Sequence, residues 1–118
     1  MASLNTIRHG DVLIAQFTDA QIVDEAKIEQ IGAELTNAAN RAGDGKLLLN
    51  FKTVRFMSSA VLGSLVRLQK KCKAEKTRLV LCHVSAEILK VFKITGLDRG
   101  FEICDNEDAG LAVLAKKW

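Results

Sequence analysis

The sequence predicts an α/β fold with a mostly parallel central sheet, and three observations carry that prediction. Leu47-Leu48-Leu49 is an apolar run without alternation, as expected for a strand covered on both faces. A segment of helical periodicity separates it from a second apolar run, Leu79-Val80-Leu81-Cys82. Strand-length and helix-length patterns then keep alternating to the end of the chain, the pattern of right-handed crossovers that build a parallel sheet.

In chain order, Thr6-Ile7-Arg8 and Val12–Phe17 flank His9-Gly10-Asp11, which predicts a hairpin and one antiparallel strand. A helix follows from about Asp24, with an acidic cap before Glu25 and with Ile28, Ile31, Leu35 and Ala39 at helical spacing; Gly43-Asp44-Gly45 ends it. Lys46–Phe51 is the next strand. The second helix begins at Ser58 or Ser59 and ends near Ala74, presenting Leu62, Leu65, Val66, Gln69 and Cys72 on one face and Ser64, Arg67, Lys70 and Lys71 on others. Arg78–Val84 is a strand, and Ser85 caps a helix whose inner stripe is Ile88, Val91 and Phe92 and whose stop is Gly96, with Leu97 beyond it. Phe101–Cys104 is a short strand, and Asn106 or Glu107 opens a last helix through about Ala115. The order β-β-α-β-α-β-α-β-α gives a mixed sheet with four helices.

The 118 residues, 48% hydrophobic and 26% charged, suffice for one core and are too few for two, so residues 1–118 read as one domain. No apolar run approaches the roughly 20 residues that cross a bilayer, and Met1–Asn5 carries no basic-then-apolar leader, so no membrane role and a cytoplasmic location are expected. Cys72, Cys82 and Cys104 form no C-x-x-C pair and read as buried thiols. The net charge of +3 comes partly from Lys70, Lys71, Lys73, Lys76 and Arg78, which read as a solvated helix end. Aromatics are only 5% and none interleaves with that cluster, which leaves nucleic acid no stacking platform.

Enzyme signals are sparse. His9 and His83 stand outside any metal-ligand spacing, and Asp19, Asp24 and Glu25 fall around a helix start, where acids favour the dipole without any ligand. No metal or cofactor is expected. Gly43-Asp44-Gly45-Lys46 lacks the preceding strand and the Ser/Thr of a phosphate-binding loop. Phe56 and Met57 stand where a serine-hydrolase elbow requires glycine. What remains is Ser58-Ser59 between a buried strand and a helix start, where a hydroxyl can cap the helix and a phosphate would meet free N–H groups and the positive dipole end.

Leu47–Phe51, Val54–Gly63 and Val91–Leu97 together resemble the STAS domain of bacterial anti-sigma factor antagonists, over nearly the whole chain. That family's motif is a strand ending in Asp or Asn, a short loop, and a tetrapeptide commonly D-S-S-G before a helix. Asn50 fits the first element and Met57-Ser58-Ser59-Ala60 falls on the tetrapeptide, with Met57 in place of the frequent acid and Ala60 in place of the frequent glycine. The resemblance implies a non-enzymatic partner switch. The unmodified domain binds an anti-sigma factor with serine kinase activity and so frees a sigma factor; phosphorylation of Ser58 prevents that binding, and a phosphatase reverses it. Ser59, Val61, Leu62, Ser64 and Leu65 are the nearest candidates for partner contact. Two other readings stand beside it: a non-switching STAS scaffold or small-ligand sensor whose serines only cap, and a small enzyme using the Ser58-Ser59 loop, for which a base would have to come from elsewhere in the fold.

Overall fold

The computed structural model describes residues 3–43 and 45–116, so Asp44 of the predicted helix stop lies outside the described residues. Strand β1 (Leu4–His9) turns at Gly10 and Asp11 into β2 (Val12–Phe17), and the two pair antiparallel. The two-residue β3 (Gln21–Ile22) leads into helix α1 (Glu25–Ala42), followed by β4 (Lys46–Asn50) and a second two-residue strand, β5 (Phe56–Met57). Helix α2 (Ser59–Ala74), β6 (Arg78–Cys82), α3 (Ala86–Thr95), a single 3-10 turn (Leu97–Arg99), β7 (Glu102–Cys104) and α4 (Glu107–Ala115) complete the order.

The main sheet runs β1-β2-β4-β6-β7, with every pair after the hairpin parallel. Leu47, Leu48 and Leu49 pair with Leu79, Val80 and Leu81, as the two apolar runs required. The pleat explains why that run does not alternate. Leu47 and Leu49 face one layer with α1, α2 and α3, Leu48 faces the other with Leu114 of α4, and all three leucines are fully buried. The opposite layer is thin because α4 lies close to the sheet: a Cβ on Gly110 would come within 2.8 Å of Leu48 Cδ1.

Helix starts and stops follow the predicted chemistry at three of four sites. Asp24 Oδ1 accepts the Ala26 N–H at 2.9 Å, Ser85 Oγ the Ile88 N–H at 3.2 Å, and Asn106 Oδ1 the Ala109 N–H at 2.8 Å. Gly96 ends α3 in the left-handed region at φ 76°.

The structure corrects several boundaries and faces. The strands at Lys46 and Arg78 stop at Asn50 and Cys82, one and two residues early; Asn50 Oδ1 accepts the Lys52 N–H as the chain leaves the sheet, and His83 turns it with φ 56°. In α2, Val66 and Gln69 are only half-buried while Val61, Ser64 and Leu68 are buried. Ser64 faces α1, where a Cβ on Gly32 would sit 3.6 Å from its Oγ, so the helix-helix contact takes a small residue that periodicity placed off the apolar face. Arg78 is no part of a solvated helix end: it lies on β6, pairs with Glu102 at 2.8 Å and donates to the carbonyls of Val113 and Lys116.

Candidate phosphoacceptor site

The segment between β4 and α2 is pinned from below. Phe51 is fully buried against Phe17, with ring centroids 4.7 Å apart, and Val54 is buried beside it. The Phe51 N–H reaches Cys82 O at 3.0 Å and the Val54 N–H reaches Phe51 O at 2.9 Å. The chain then enters a small parallel ladder that the sequence pattern gave no sign of, because two residues carry no periodicity. Gln21 and Ile22 pair with Phe56 and Met57, and the Ser58 N–H donates to Ile22 O at 2.9 Å. Backbone hydrogen bonds therefore place Ser58 before any side chain does.

Ser58 has the extended backbone of an N-cap, φ −74° and ψ 161°, and its carbonyl accepts the Val61 N–H at 3.1 Å. Its side chain does not cap. The residue is half-buried, and Oγ is shut off from solvent with no hydrogen-bond partner. The expectation that this hydroxyl caps its helix is corrected: it makes no cap hydrogen bond and is turned away from solvent instead. Among the described residues no general base is in hydrogen-bond reach of it.

The charge around the helix start is as particular as the geometry. Helices α1, α3 and α4 carry Glu25, Glu87, and Glu107 with Asp108 in their first turns, whereas α2 carries no acid there. The positive end of the α2 dipole is thus uncompensated by any carboxylate of its own first turn.

The five residues named as nearest to a partner divide sharply. Ser59 is exposed, while Val61, Leu62, Ser64 and Leu65 are buried in the core between α2, α1 and the sheet. Val61, Ser64 and Leu65 present no surface for docking, because a helix packed by its first two turns has spent those side chains on the core, and Leu62 reaches the surface only at the bottom of the cleft beside β5. Large apolar side chains are exposed elsewhere: Ile7 of β1 and Val23 after β3, and, beside this loop and on α3, Phe56, Val91 and Ile94, at 56%, 42% and 76%. Between β5 and α3 lies a cleft of about 130 Å³ lined by Phe56, Met57, Leu62, Ile88 and Val91 together with the charged Arg55 and Glu87. Val91, expected on the inner stripe of α3, is corrected to this surface. From the sequence, Val91 fell on the inner stripe of α3 and Phe56 and Ile94 had no role in docking, because periodicity does not show which apolar residues a neighbouring element leaves uncovered.

The remaining candidate groups are committed elsewhere. Asp19 pairs with Lys27 at 3.3 Å, and His83 Nε2 accepts the Glu107 N–H at 3.2 Å. Burial pushes the Cys72 thiol up to about 11 and the Cys82 thiol up to about 12, and burial raises Cys104 as well, so none is poised as a thiolate. Among the described residues no cluster of His, Cys, Asp and Glu could hold a metal ion, and no helix is long and apolar enough to cross a membrane.

This combination of sheet order, helix layers and a serine-bearing strand-to-helix loop agrees with the sequence profile of the STAS domain, which matches residues 3–110. The chain belongs to the STAS domain family. It is 28% identical over 91 residues, 77% of this chain and 78% of the relative, to BtrV of Bordetella bronchiseptica, a protein named as a candidate anti-sigma factor antagonist. Its fold superposes with TM-score 0.89 on an anti-sigma-factor antagonist (STAS) domain protein of Planctomyces limnophilus, at 24% identity and covering 98% of this chain and 100% of that one. It is also similar to the phosphorylated form of the Bacillus cell fate determinant SpoIIAA, with TM-score 0.69, 21% identity, and 93% and 98% coverage.

Proposed function

We propose that this STAS protein is an anti-sigma factor antagonist in which Ser58 is the phosphoacceptor of a partner switch. The unmodified form binds an anti-sigma factor with serine kinase activity and frees a sigma factor. The observation that carries this reading is the hydroxyl at the start of α2, which neither caps its helix nor bonds to anything else. Turning it outward to meet a kinase forfeits no hydrogen bond.

In the transfer, Oγ attacks the γ-phosphorus of ATP, the Oγ–P bond forms as the bond to the β-phosphate oxygen breaks, ADP leaves, and a base on the kinase takes the hydroxyl proton. The product carries about −1.5 to −2 charges at pH 7. An α2 start without a first-turn acid accepts that charge without like-charge repulsion from its own helix, so the phosphorylated form stays folded.

Docking then uses Ser59 and the exposed apolar side chains of Phe56 and Val91, which line one cleft, with Ile94 three residues on from Val91 along α3; exposed apolar surface of this kind marks protein interaction sites. A phosphate at Ser58 lies at the edge of this patch and would bring an unpaired dianion into an apolar interface, which is costly to desolvate. Relatives named as anti-sigma factor antagonists, one of them solved in a phosphorylated form, support the same reading.

The test is to copurify the anti-sigma partner, add ATP, and map the modified residue by mass spectrometry. The expected result is one phosphate on Ser58, absent from Ser58→Ala, with release of the partner. Phosphate on another residue, or partner release from Ser58→Ala on adding ATP, would overturn the assignment.

A further inference from the structure

Cys82 and Cys104 are the last residues of β6 and β7, and they are register partners in that parallel pair. Residues paired in this way on parallel strands point to the same face of the sheet. Both side chains accordingly meet in the thinner layer, with Leu48, Val80 and Leu114. Cys82 is fully buried there, whereas Cys104, which the sequence also assigned to the interior, is only half-buried on the edge strand. Cys72 packs in the opposite layer, with the sheet between it and the other two.

Neighbouring strands stand about 4.8 Å apart, inside the roughly 4.4–6.8 Å Cα separation that disulfides span. The two residues can therefore be bridged without pulling the strands out of their ladder. Burial raises both thiols, which slows exchange near neutrality. It also means that no stabilised thiolate holds the pair in its reduced form. The position matters to β7, an edge strand of three residues. Arg78 and Glu102, the first residues of β6 and β7, already tie the two strands together at 2.8 Å, while at the other end of the ladder Cys82 and Cys104 stand as free thiols.

We propose that Cys82 and Cys104 form a reversible disulfide by exchange with a small-molecule disulfide, stapling the edge strand β7 to β6. The half-buried Cys104 is the entry point. Its thiolate attacks one sulfur of the reagent, and a mixed disulfide forms as the reagent's S–S bond breaks and its first thiol leaves. Cys82 then attacks Cys104 Sγ, the mixed disulfide breaks, and the second thiol leaves with the Cys82 proton. In all, the two cysteines lose two electrons and two protons, and the reagent gains them as two thiols. Neither side chain lines the cleft beside Ser58, so the pair stands independently of the partner switch.

The experiment equilibrates the folded protein with oxidised glutathione at mildly alkaline pH, then counts thiols in the denatured chain and maps its peptides by mass spectrometry. Free thiols are expected to fall from three per chain to one, with the loss of two hydrogens in mass, a linked Cys82–Cys104 peptide pair, and full recovery on adding dithiothreitol. Cys72→Ala should form the same bridge. Cys104→Ser should form no internal bridge while a thermal melt shows it folded, since a hydroxyl is better tolerated at this half-buried edge than at the fully buried Cys82. The peptide map of the wild type decides the matter without any variant. Three free thiols after equilibration, a stable glutathione adduct on Cys104 alone, or a bridge to Cys72 or between two chains would overturn the proposal.

Discussion

Ser58 and Ser85 occupy the same formal place, each the extended residue before the first turn of a helix, yet they do opposite things. Ser85 Oγ accepts the Ile88 N–H, and Glu87 in the first turn complements the dipole, so α3 has both devices that normally secure a helix start. Ser58 uses neither. Its helix is held by burial of Val61, Leu62 and Leu65 and by the backbone bond from Ser58 N–H to Ile22 O. The comparison teaches that a serine at an N-cap position is an ordinary structural residue when its hydroxyl is used, and a residue free for modification when packing and strand pairing have made that use unnecessary.

The difference can be broken most forcefully at the core. Leu65→Ala should cost about 2–5 kcal/mol in urea unfolding, because burial rather than capping seats α2. A loss below about 1 kcal/mol, within the ordinary range of point substitutions, would mean that something else secures this helix.

Next in size is the charge at Ser58. Ser58→Asp should weaken binding of the copurified partner about 100-fold in titration calorimetry, equivalent to about 2.7 kcal/mol, while leaving the melting temperature close to that of the wild type. Asp is a good N-cap and its anion suits the dipole, so weaker binding could not be blamed on unfolding. Unchanged affinity would remove the functional half of the contrast.

The two alanine substitutions sharpen what is left. Ser85→Ala should destabilise by about 1 kcal/mol through loss of a real cap. Ser58→Ala should lie within about 0.5 kcal/mol of the wild type or slightly above it, since it removes a buried hydroxyl that has no partner. Equal losses at the two serines, measured side by side by urea unfolding, would show that Ser58 caps in solution and would abolish the distinction.

Much of this was legible in the sequence. The unbroken Leu47–Leu49 run identified a strand covered on both faces, and Asp24, Ser85 and Asn106 marked three helix starts that the structure bears out. Ser58 was found by the same logic, and its position is right although its hydrogen bond is not. The β3-β5 ladder was not legible, because two residues offer no period to detect and pair only across some thirty residues of intervening chain. Ser64 was misassigned because a small polar residue is buried only where another helix comes close, here at Gly32. Val91 was placed on the inner stripe of α3 although it is 42% exposed, and the exposure of Phe56 and Ile94 was not foreseen.

By itself the sequence determined the order and type of the long elements, the parallel pairing of the two apolar runs and the place of the serine loop. These rest on periods of 2 and 3.6 residues and on capping chemistry, all of which act over a few neighbouring positions. Only the tertiary structure decided which hydroxyl is spent on a cap, which apolar side chains remain at the surface, and which two of the three cysteines stand side by side on neighbouring strands. Each of those depends on groups that meet from distant parts of the chain, and no local period encodes which of them will meet.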